Sequence, residues 1–73
     1  MVDKVLLGFI CKTYRIKKGK TQAEIAKALN INQSIISRFE NGKNCNISVL
    51  LYYILEVIPM GSIGNLMGVV EWQ

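Results

Sequence analysis

The sequence predicts an all-α fold, a compact bundle of four to five short helices, and three observations support this prediction. Apolar residues recur at the three- and four-residue spacing that places them on one face of a helix. A residue with a short polar side chain precedes each such segment and can cap it, and a glycine, an asparagine or a proline comes after it and can end it. The 73-residue length allows at most one domain, for which association of two copies would be a common source of added stability.

The first predicted helix begins after Asp3 and extends to about Lys17. Asp3 can cap it because a carboxylate accepts hydrogen bonds from the unpaired amides of the first turn. Gly19 ends it, since glycine adopts a left-handed backbone at little cost. The predicted apolar face of this helix consists of Leu6, Leu7, Ile10, Cys11 and Tyr14.

Two short helices come next, separated by a tight turn. Thr21 and Glu24 form a capping box at the start of the segment TQAEIAKAL. Asn30 suits the left-handed turn, and Asn32 caps the next segment, QSIISRFEN, which Gly42 ends. The first segment is predicted to bury Ile25, Ala26 and Leu29 and to leave Gln22, Lys27 and the carboxylate of Glu24 in water. Two short helices joined in this way form a helix-turn-helix unit.

Asn46 can cap a fourth helix from about Ile47 to Ile58, which Pro59 stops. Its predicted inward face consists of Leu50, Tyr53, Ile54 and Val57. We divide the chain into a domain at residues 1–58 and an apolar C-terminal segment at residues 59–73. The segment could form a fifth short helix at about Ser62 to Met67, or an extended arm that serves for dimerisation.

The charges are unevenly distributed. All nine lysines and arginines lie between Lys4 and Lys43, whereas the residues from Asn44 onward carry two glutamates and no positive charge. The five positive charges from Lys12 to Lys20 could be a solvated helix end, but beside the predicted helix-turn-helix they favour an anionic partner. The apolar remainder favours packing or protein contacts.

The composition disfavours several classes of function. Cys11 and Cys45, without a histidine or a CxxC pair, do not indicate a zinc site, and we expect buried or half-buried thiols in a reducing cytosol. We expect no cofactor and no enzymatic activity, because isolated cysteines and a few engaged carboxylates leave no catalytic set. The longest apolar run, residues 49–58, is too short to span a membrane, and no signal peptide opens the chain, so we expect a cytoplasmic protein.

Residues 7–57 resemble the Cro/C1-type (Xre family) helix-turn-helix domain, which has the lambda repressor-like fold. The resemblance rests on TQAEIAKAL, a three-residue turn and an SxxSRFENGK-like segment from Ser34 to Lys43. It implies a small transcriptional regulator that binds double-stranded DNA, most simply a repressor of phage or prophage genes in the bacterial cytosol or nucleoid. The partner would be a pseudo-palindromic operator bound by a homodimer, and the dimerisation candidates are Val69, Val70 and Trp72.

The third helix would enter the major groove with a polar face. The predicted base-contacting residues are Gln33, Ser34, Ile35, Ser37 and Arg38. Gln33 can pair with an adenine edge, and Arg38 can reach a guanine or a phosphate. Ile35 suits a thymine methyl group, although it could instead only pack on its neighbours. The predicted phosphate-contacting residues are Gln22, which the resemblance implies, and Asn41, Lys43 and Lys20.

The resemblance also implies an ion pair between Arg15 and Glu40, which would join the first helix to the end of the third. Lys20 stands where the family usually has an apolar residue. Either Ile16 fills that space, or the corner between the first two helices is more open than usual.

Two other interpretations remain open. A protein-interaction module, such as an antirepressor or an adaptor, could use the same fold without reading DNA, and the apolar residues after Ser48 favour protein contacts. The C-terminal segment would then be a candidate surface for a protein partner. Within the DNA-binding class, an antitoxin or a restriction-system controller could also be this short.

Overall fold

The computed structural model describes residues 3–59, so the proposed fifth helix at residues 62–67 lies outside the described residues. Within them the elements are α1 (Lys4–Lys18), α2 (Gln22–Leu29), α3 (Gln33–Glu40), α4 (Ile47–Tyr52) and a π-helical turn (Tyr53–Val57) that continues α4. Residues 3–59 contain no strand, and the all-α prediction is confirmed.

Polar side chains begin the helices at the predicted positions. The amide of Leu6 donates to the carboxylate of Asp3 at 3.0 Å, and the amide of Val49 donates to Asn46 at 3.2 Å. The capping box of α2 is complete, because the amide of Glu24 donates to the Thr21 hydroxyl while the amide of Thr21 donates to the Glu24 carboxylate. Asn32 caps α3 through the amide of Ser34 at 3.4 Å. The four predicted N-caps are confirmed.

A left-handed residue lies just beyond the end of each of the first three helices, as predicted. The φ angles are +76° at Gly19, +55° at Asn30 and +74° at Gly42. Gly42 is required for a second reason, since a Cβ atom there would lie 2.8 Å from the Cα atom of Val5. The turn after α3 therefore packs directly against the start of α1.

The core gathers residues from all four helices and the π-helical turn. Its buried apolar members are Leu7, Cys11, Ile25, Ala26, Ile36, Phe39, Val49, Tyr53, Val57 and Ile58. Gly8 lets α1 lie close to α3, because a Cβ atom at this position would come within 2.5 Å of the Phe39 carbonyl oxygen. Leu6, predicted to face the core, is instead 44% exposed. It lies about 200° around α1 from Gly8, on the side away from α3.

The fourth helix differs from its prediction in two respects. Helical structure ends at Val57, and Ile58 is extended, because a residue before proline disfavours the helical backbone. Val49, absent from the predicted inward face, is fully buried, whereas Leu50 and Ile54 are only partly buried. The buried positions are four residues apart at Val49, Tyr53 and Val57, and the wider π-helical turn keeps them on one side.

Both cysteines are free, Cys11 buried and Cys45 half-buried, as predicted. Burial, together with the nearby Glu40 and Cys45, raises the pKa of Cys11 to about 12. Across residues 3–59 no helix combines the length and hydropathy needed to cross a bilayer. The same residues hold no group of three or more side chains of the kinds that bind metal ions.

Candidate nucleic-acid interface

α3 is buried on one side and polar on the other. Ile36 and Phe39, three residues apart, are at most 1% exposed and fix the helix to the core. Three of the predicted base-contacting residues, Gln33, Ser34 and Arg38, are exposed. The helix thus offers a hydrogen-bonding surface on a rigid support.

The other two predicted base-contacting residues are less accessible. Ile35 is half-buried and packs against the core with part of its side chain, so only the remainder is accessible to a partner. Its position four residues before Phe39 places it beside the buried stripe of α3. Ser37 is half-buried, and its hydroxyl accepts a hydrogen bond from the Asn41 side chain at 3.4 Å.

Gln22 is half-buried, contrary to the prediction that it lies in water. Its Nε2 group donates to Oε1 of Glu40 at 3.0 Å, and its own Oε1 accepts from Nε2 of Gln33 at 3.4 Å. The amide of Gln22 therefore links the start of α3 to the carboxylate at the end of α3. Lys27 and Glu24 are exposed, as expected.

Glu40 is only 5% exposed, and four donor groups converge on its carboxylate. Nε of Arg15 donates to Oε2 at 2.7 Å and Nη2 donates to Oε1 at 3.1 Å, which is a bidentate ion pair. The hydroxyl of Tyr53 donates to Oε2, and Gln22 donates to Oε1. We call Arg15, Gln22, Glu40 and Tyr53 the Glu40 network.

The electrostatics keep this carboxylate ionised. Burial raises the pKa of Glu40, but the hydrogen bonds from Arg15, Tyr53 and Gln22 outweigh it, and the pKa lies below its ordinary value. The hydrogen bond with Glu40 raises the pKa of Arg15. Burial and the hydrogen bond to Glu40 raise the pKa of Tyr53, so its hydroxyl remains a donor. The network ties α1, α2, α3 and the π-helical turn together around one negative charge.

Sequence reasoning missed Tyr53 and Gln22 as partners of Glu40. A usable signal existed for Tyr53, because its hydroxyl on a predicted inward face requires a hydrogen-bond partner. For Gln22 the sequence offers no comparable signal, since a glutamine in a first helical turn is ordinarily solvated.

The predicted phosphate-contacting lysines differ in their surroundings. Lys43 is exposed beyond α3. Lys20 donates to the hydroxyl of Tyr52 at 3.1 Å, and its ammonium lies 5.5 Å from the centre of the Tyr52 ring. The hydrogen bond raises the pKa of Lys20, which stays charged. Ile16 is 58% exposed, so it does not fill the space that an apolar residue at position 20 would occupy.

A family model described as helix-turn-helix matches residues 12–50, more than half of the chain. The chain belongs to the Cro/C1-type helix-turn-helix family. This membership supports a DNA-binding regulator. No curated protein and no solved structure matches the chain.

The matched range places most of the polar features within the helix-turn-helix domain. Arg15, Gln22, Gln33 and Glu40 all lie inside residues 12–50, whereas Tyr53 lies beyond them. The dimerisation candidates Val69, Val70 and Trp72 lie outside the described residues.

Proposed function

We propose that this helix-turn-helix domain binds duplex DNA sequence-specifically, as a small transcriptional repressor, with α3 in the major groove. The observation that carries the proposal is the two-sided character of α3. Ile36 and Phe39 anchor its inner side, while Gln33, Ser34 and Arg38 project donors and acceptors from its outer side. A helix of this kind fits the width of the major groove, where base edges offer complementary groups.

Base recognition is assigned to the exposed side of α3. Gln33, at the first position of the helix, can form two hydrogen bonds with an adenine, and Arg38 can form two with a guanine or bind a phosphate. Ser34 and Ser37 add single hydrogen bonds. Ile35 has only part of its side chain accessible, so a contact with a thymine methyl group is confined to the edge of the surface.

Phosphate binding is assigned to residues beside α3. The second hydrogen of Gln22 Nε2 is not used by Glu40 and can reach a phosphate beside the positive N-terminus of α2. Asn41 and Lys43 lie just past α3, and Lys43 is exposed. Lys20 uses one ammonium hydrogen on Tyr52 and retains two for a phosphate.

For repression we propose a homodimer on a pseudo-palindromic operator. Two copies of α3 would enter successive major grooves about 34 Å apart and block polymerase. Residues 59–73, with Val69, Val70 and Trp72, supply the proposed contact between copies. Phage or prophage genes are the proposed targets.

A protein-interaction module is the second candidate, favoured by the exposed apolar side chains. Phe9 is 63% exposed, Leu51 is 51% exposed and Leu55 is 74% exposed. Leu51 and Leu55 line one groove together with Leu29, and contiguous apolar surface often marks a protein contact. An antirepressor or adaptor would bind its partner through them with little dependence on salt. An antitoxin or restriction-system controller would share the DNA surface and differ in the operator bound.

The test is a selection of bound duplexes from a random pool, followed by affinity measurements at several salt concentrations. Enrichment of a symmetric sequence and a steep loss of affinity with salt are expected. Replacing Gln33 or Arg38 by Ala should relax the choice of base, whereas Lys43→Ala should weaken binding to all sequences. Lys27→Ala is the control for charge, because Lys27 lies about 140° around α2 from Gln22.

The outcomes separate the candidates. Absence of enrichment at low salt would reject DNA reading and favour the protein-interaction module. Equal losses on selected and random duplexes for Gln33→Ala, Arg38→Ala and Lys43→Ala would reject the division between base and phosphate contacts.

A further inference from the structure

We propose that Glu40 determines the base preference of Gln33 without touching DNA, because it fixes the direction of a chain of side-chain amides. The chain runs from Glu40 through Gln22 to Gln33, with donor-to-acceptor distances of 3.0 Å and 3.4 Å. The inference rests on the proposed function, in which Gln33 contacts a base. It concerns how the amide of Gln33 is oriented before DNA arrives.

The direction begins at Glu40, since an ionised carboxylate accepts hydrogen bonds and cannot donate them. Arg15 and Tyr53 occupy this carboxylate from two other sides and hold it in place. Gln22 must therefore turn its Nε2 group toward Glu40, and its Oε1 atom points the other way.

The orientation passes from Gln22 to Gln33 by the same rule. Because Gln22 presents an oxygen, Gln33 must present Nε2 to it. One hydrogen of this Nε2 group is then used, and Gln33 retains its Oε1 acceptor and one N–H donor. An acceptor beside a donor matches the N6 amino group and the N7 atom of adenine.

The reversed direction would favour a different base. If Gln33 turned its oxygen toward Gln22, both of its N–H groups would face outward. Two donors match the O6 and N7 acceptors of guanine. The polarity of the chain, set by the charge at Glu40, thus distinguishes two purines.

The experiment compares variants on one set of probes. One probe is the duplex that the native protein enriches from a random pool. The other three carry each alternative base pair at the single position where selection with Gln33→Ala no longer shows a base preference. Glu40→Gln replaces the carboxylate by a group that can donate or accept. Gln22→Met removes the middle of the chain but leaves Arg15, Glu40 and Tyr53 paired, and it decides the question if Glu40→Gln does not fold.

The double variant Glu40→Gln with Gln22→Glu exchanges the carboxylate and the amide. The carboxylate at position 22 then accepts from both neighbours, and Gln33 is again forced to donate. If Glu40 had only a structural role, this exchange would not restore the adenine preference.

The native protein should prefer adenine over guanine at the probed position by about tenfold or more. Glu40→Gln and Gln22→Met should reduce that preference by about fivefold or more, with the preference at the Arg38 position unchanged. The double variant should recover the adenine preference even though the added negative charge weakens binding to all probes.

A DNA-free measurement separates this inference from the proposed function. In NMR spectra of the free native protein, the side-chain amide protons of Gln22 and Gln33 should be shifted as hydrogen-bonded, and Glu40→Gln should return Gln33 toward solvent values. Enrichment with an unchanged adenine preference in Gln22→Met would overturn the inference and leave the proposed function standing. Absence of any enriched duplex would overturn the proposed function, while solvent-like shifts in the native protein would overturn the chain itself.

Discussion

The Glu40 network and the outer side of α4 reverse the usual distribution of polar and apolar groups. In the network the carboxylate of Glu40 is buried and the guanidinium of Arg15 is largely covered, with side chains 1% and 12% exposed. On the outer side of α4, Ile47, Leu51 and Leu55 lie four residues apart and are each more than half exposed. We call these three residues the α4 stripe. The comparison shows that partners, rather than polarity alone, decide which groups this small domain can bury.

The two regions should also differ in what they contribute to the free energy of unfolding. Removing one member of a buried ion pair leaves the other charge unpaired in a poorly solvated place, which costs about 3–5 kcal/mol. Shortening an exposed apolar side chain changes little, because its surface meets water in both states. Four predictions test this contrast.

Glu40→Ala should have the largest effect, a loss of about 3 kcal/mol or more, because Arg15 and Tyr53 would lose a common partner. Urea denaturation followed by circular dichroism measures it. Glu56→Ala is the control, since Glu56 is an exposed carboxylate, and it should change stability by less than about 0.5 kcal/mol. Similar small losses for both variants would contradict the account of the network.

Gly8→Ala should destabilise the domain by about 1–3 kcal/mol, because the added Cβ atom would meet the Phe39 carbonyl oxygen at 2.5 Å. The clash would separate α1 from α3 and stretch the pairing of Arg15 with Glu40. In an unhindered helix interior the same change would stabilise by about 1 kcal/mol.

Gly19→Ala is the matched control for Gly8→Ala. Among residues 3–59, apart from the adjacent Lys18 and Lys20, no atom lies within 4 Å of a Cβ at Gly19, so the expected cost is the left-handed backbone strain of about 1–2 kcal/mol. A stabilising effect of Gly8→Ala in thermal unfolding would show that the two helices are not in such close contact.

Acid should weaken the network without any substitution. The folded-state pKa of Glu40 lies below its ordinary value of 4.5. The contribution of Glu40 to the free energy of unfolding is therefore complete above pH 4.5 and is lost as the pH falls through the folded-state pKa. The backbone hydrogen bond from Thr21 also lowers the pKa of Glu24, so the native protein loses two contributions. The free energy of unfolding, measured with urea between pH 7 and pH 2, should therefore decrease less steeply in Glu40→Gln than in the native protein. Parallel curves would exclude Glu40 as a source of acid sensitivity.

Leu55→Ala should have the smallest effect, less than about 0.5 kcal/mol, because its side chain is already 74% exposed. Val57→Ala, two residues away and 2% exposed in the native protein, should cost about 2 kcal/mol. The two variants compare the outer and inner sides of the same π-helical turn. A loss above about 1 kcal/mol for Leu55→Ala would mean that the α4 stripe is covered in solution.

Local rules account for much of the fold. The caps at Asp3, Thr21 and Asn46 and the left-handed residues at Asn30 and Gly42 are determined by chemistry within a few residues, and the sequence predicted them. The same holds for the exposed polar side of α3, because helical spacing separates it from Ile36 and Phe39.

Features that depend on how helices meet were harder to predict. The exposure of Leu6 depends on the side of α1 that Gly8 turns toward α3. The half-buried state of Gln22 depends on its hydrogen bond to a carboxylate eighteen residues away in the sequence. Helical spacing predicts contacts within one helix and could not predict this contact between two helices. The Arg15–Glu40 pairing came from family resemblance rather than from the residues themselves. Ile35 lies at the border of two sides of α3, where spacing allows either outcome.

A titration of the isotopically labelled native protein with its enriched duplex, followed by NMR, tests which surface contacts DNA. The candidates are the exposed side of α3 beside the Glu40 network and the α4 stripe. We predict that the largest backbone shift changes occur at Gln22, Gln33, Ser34 and Arg38, with residues of the α4 stripe little affected. Large changes confined to Ile47, Leu51 and Leu55, with α3 unaffected, would contradict the assignment of α3 as the DNA-reading helix.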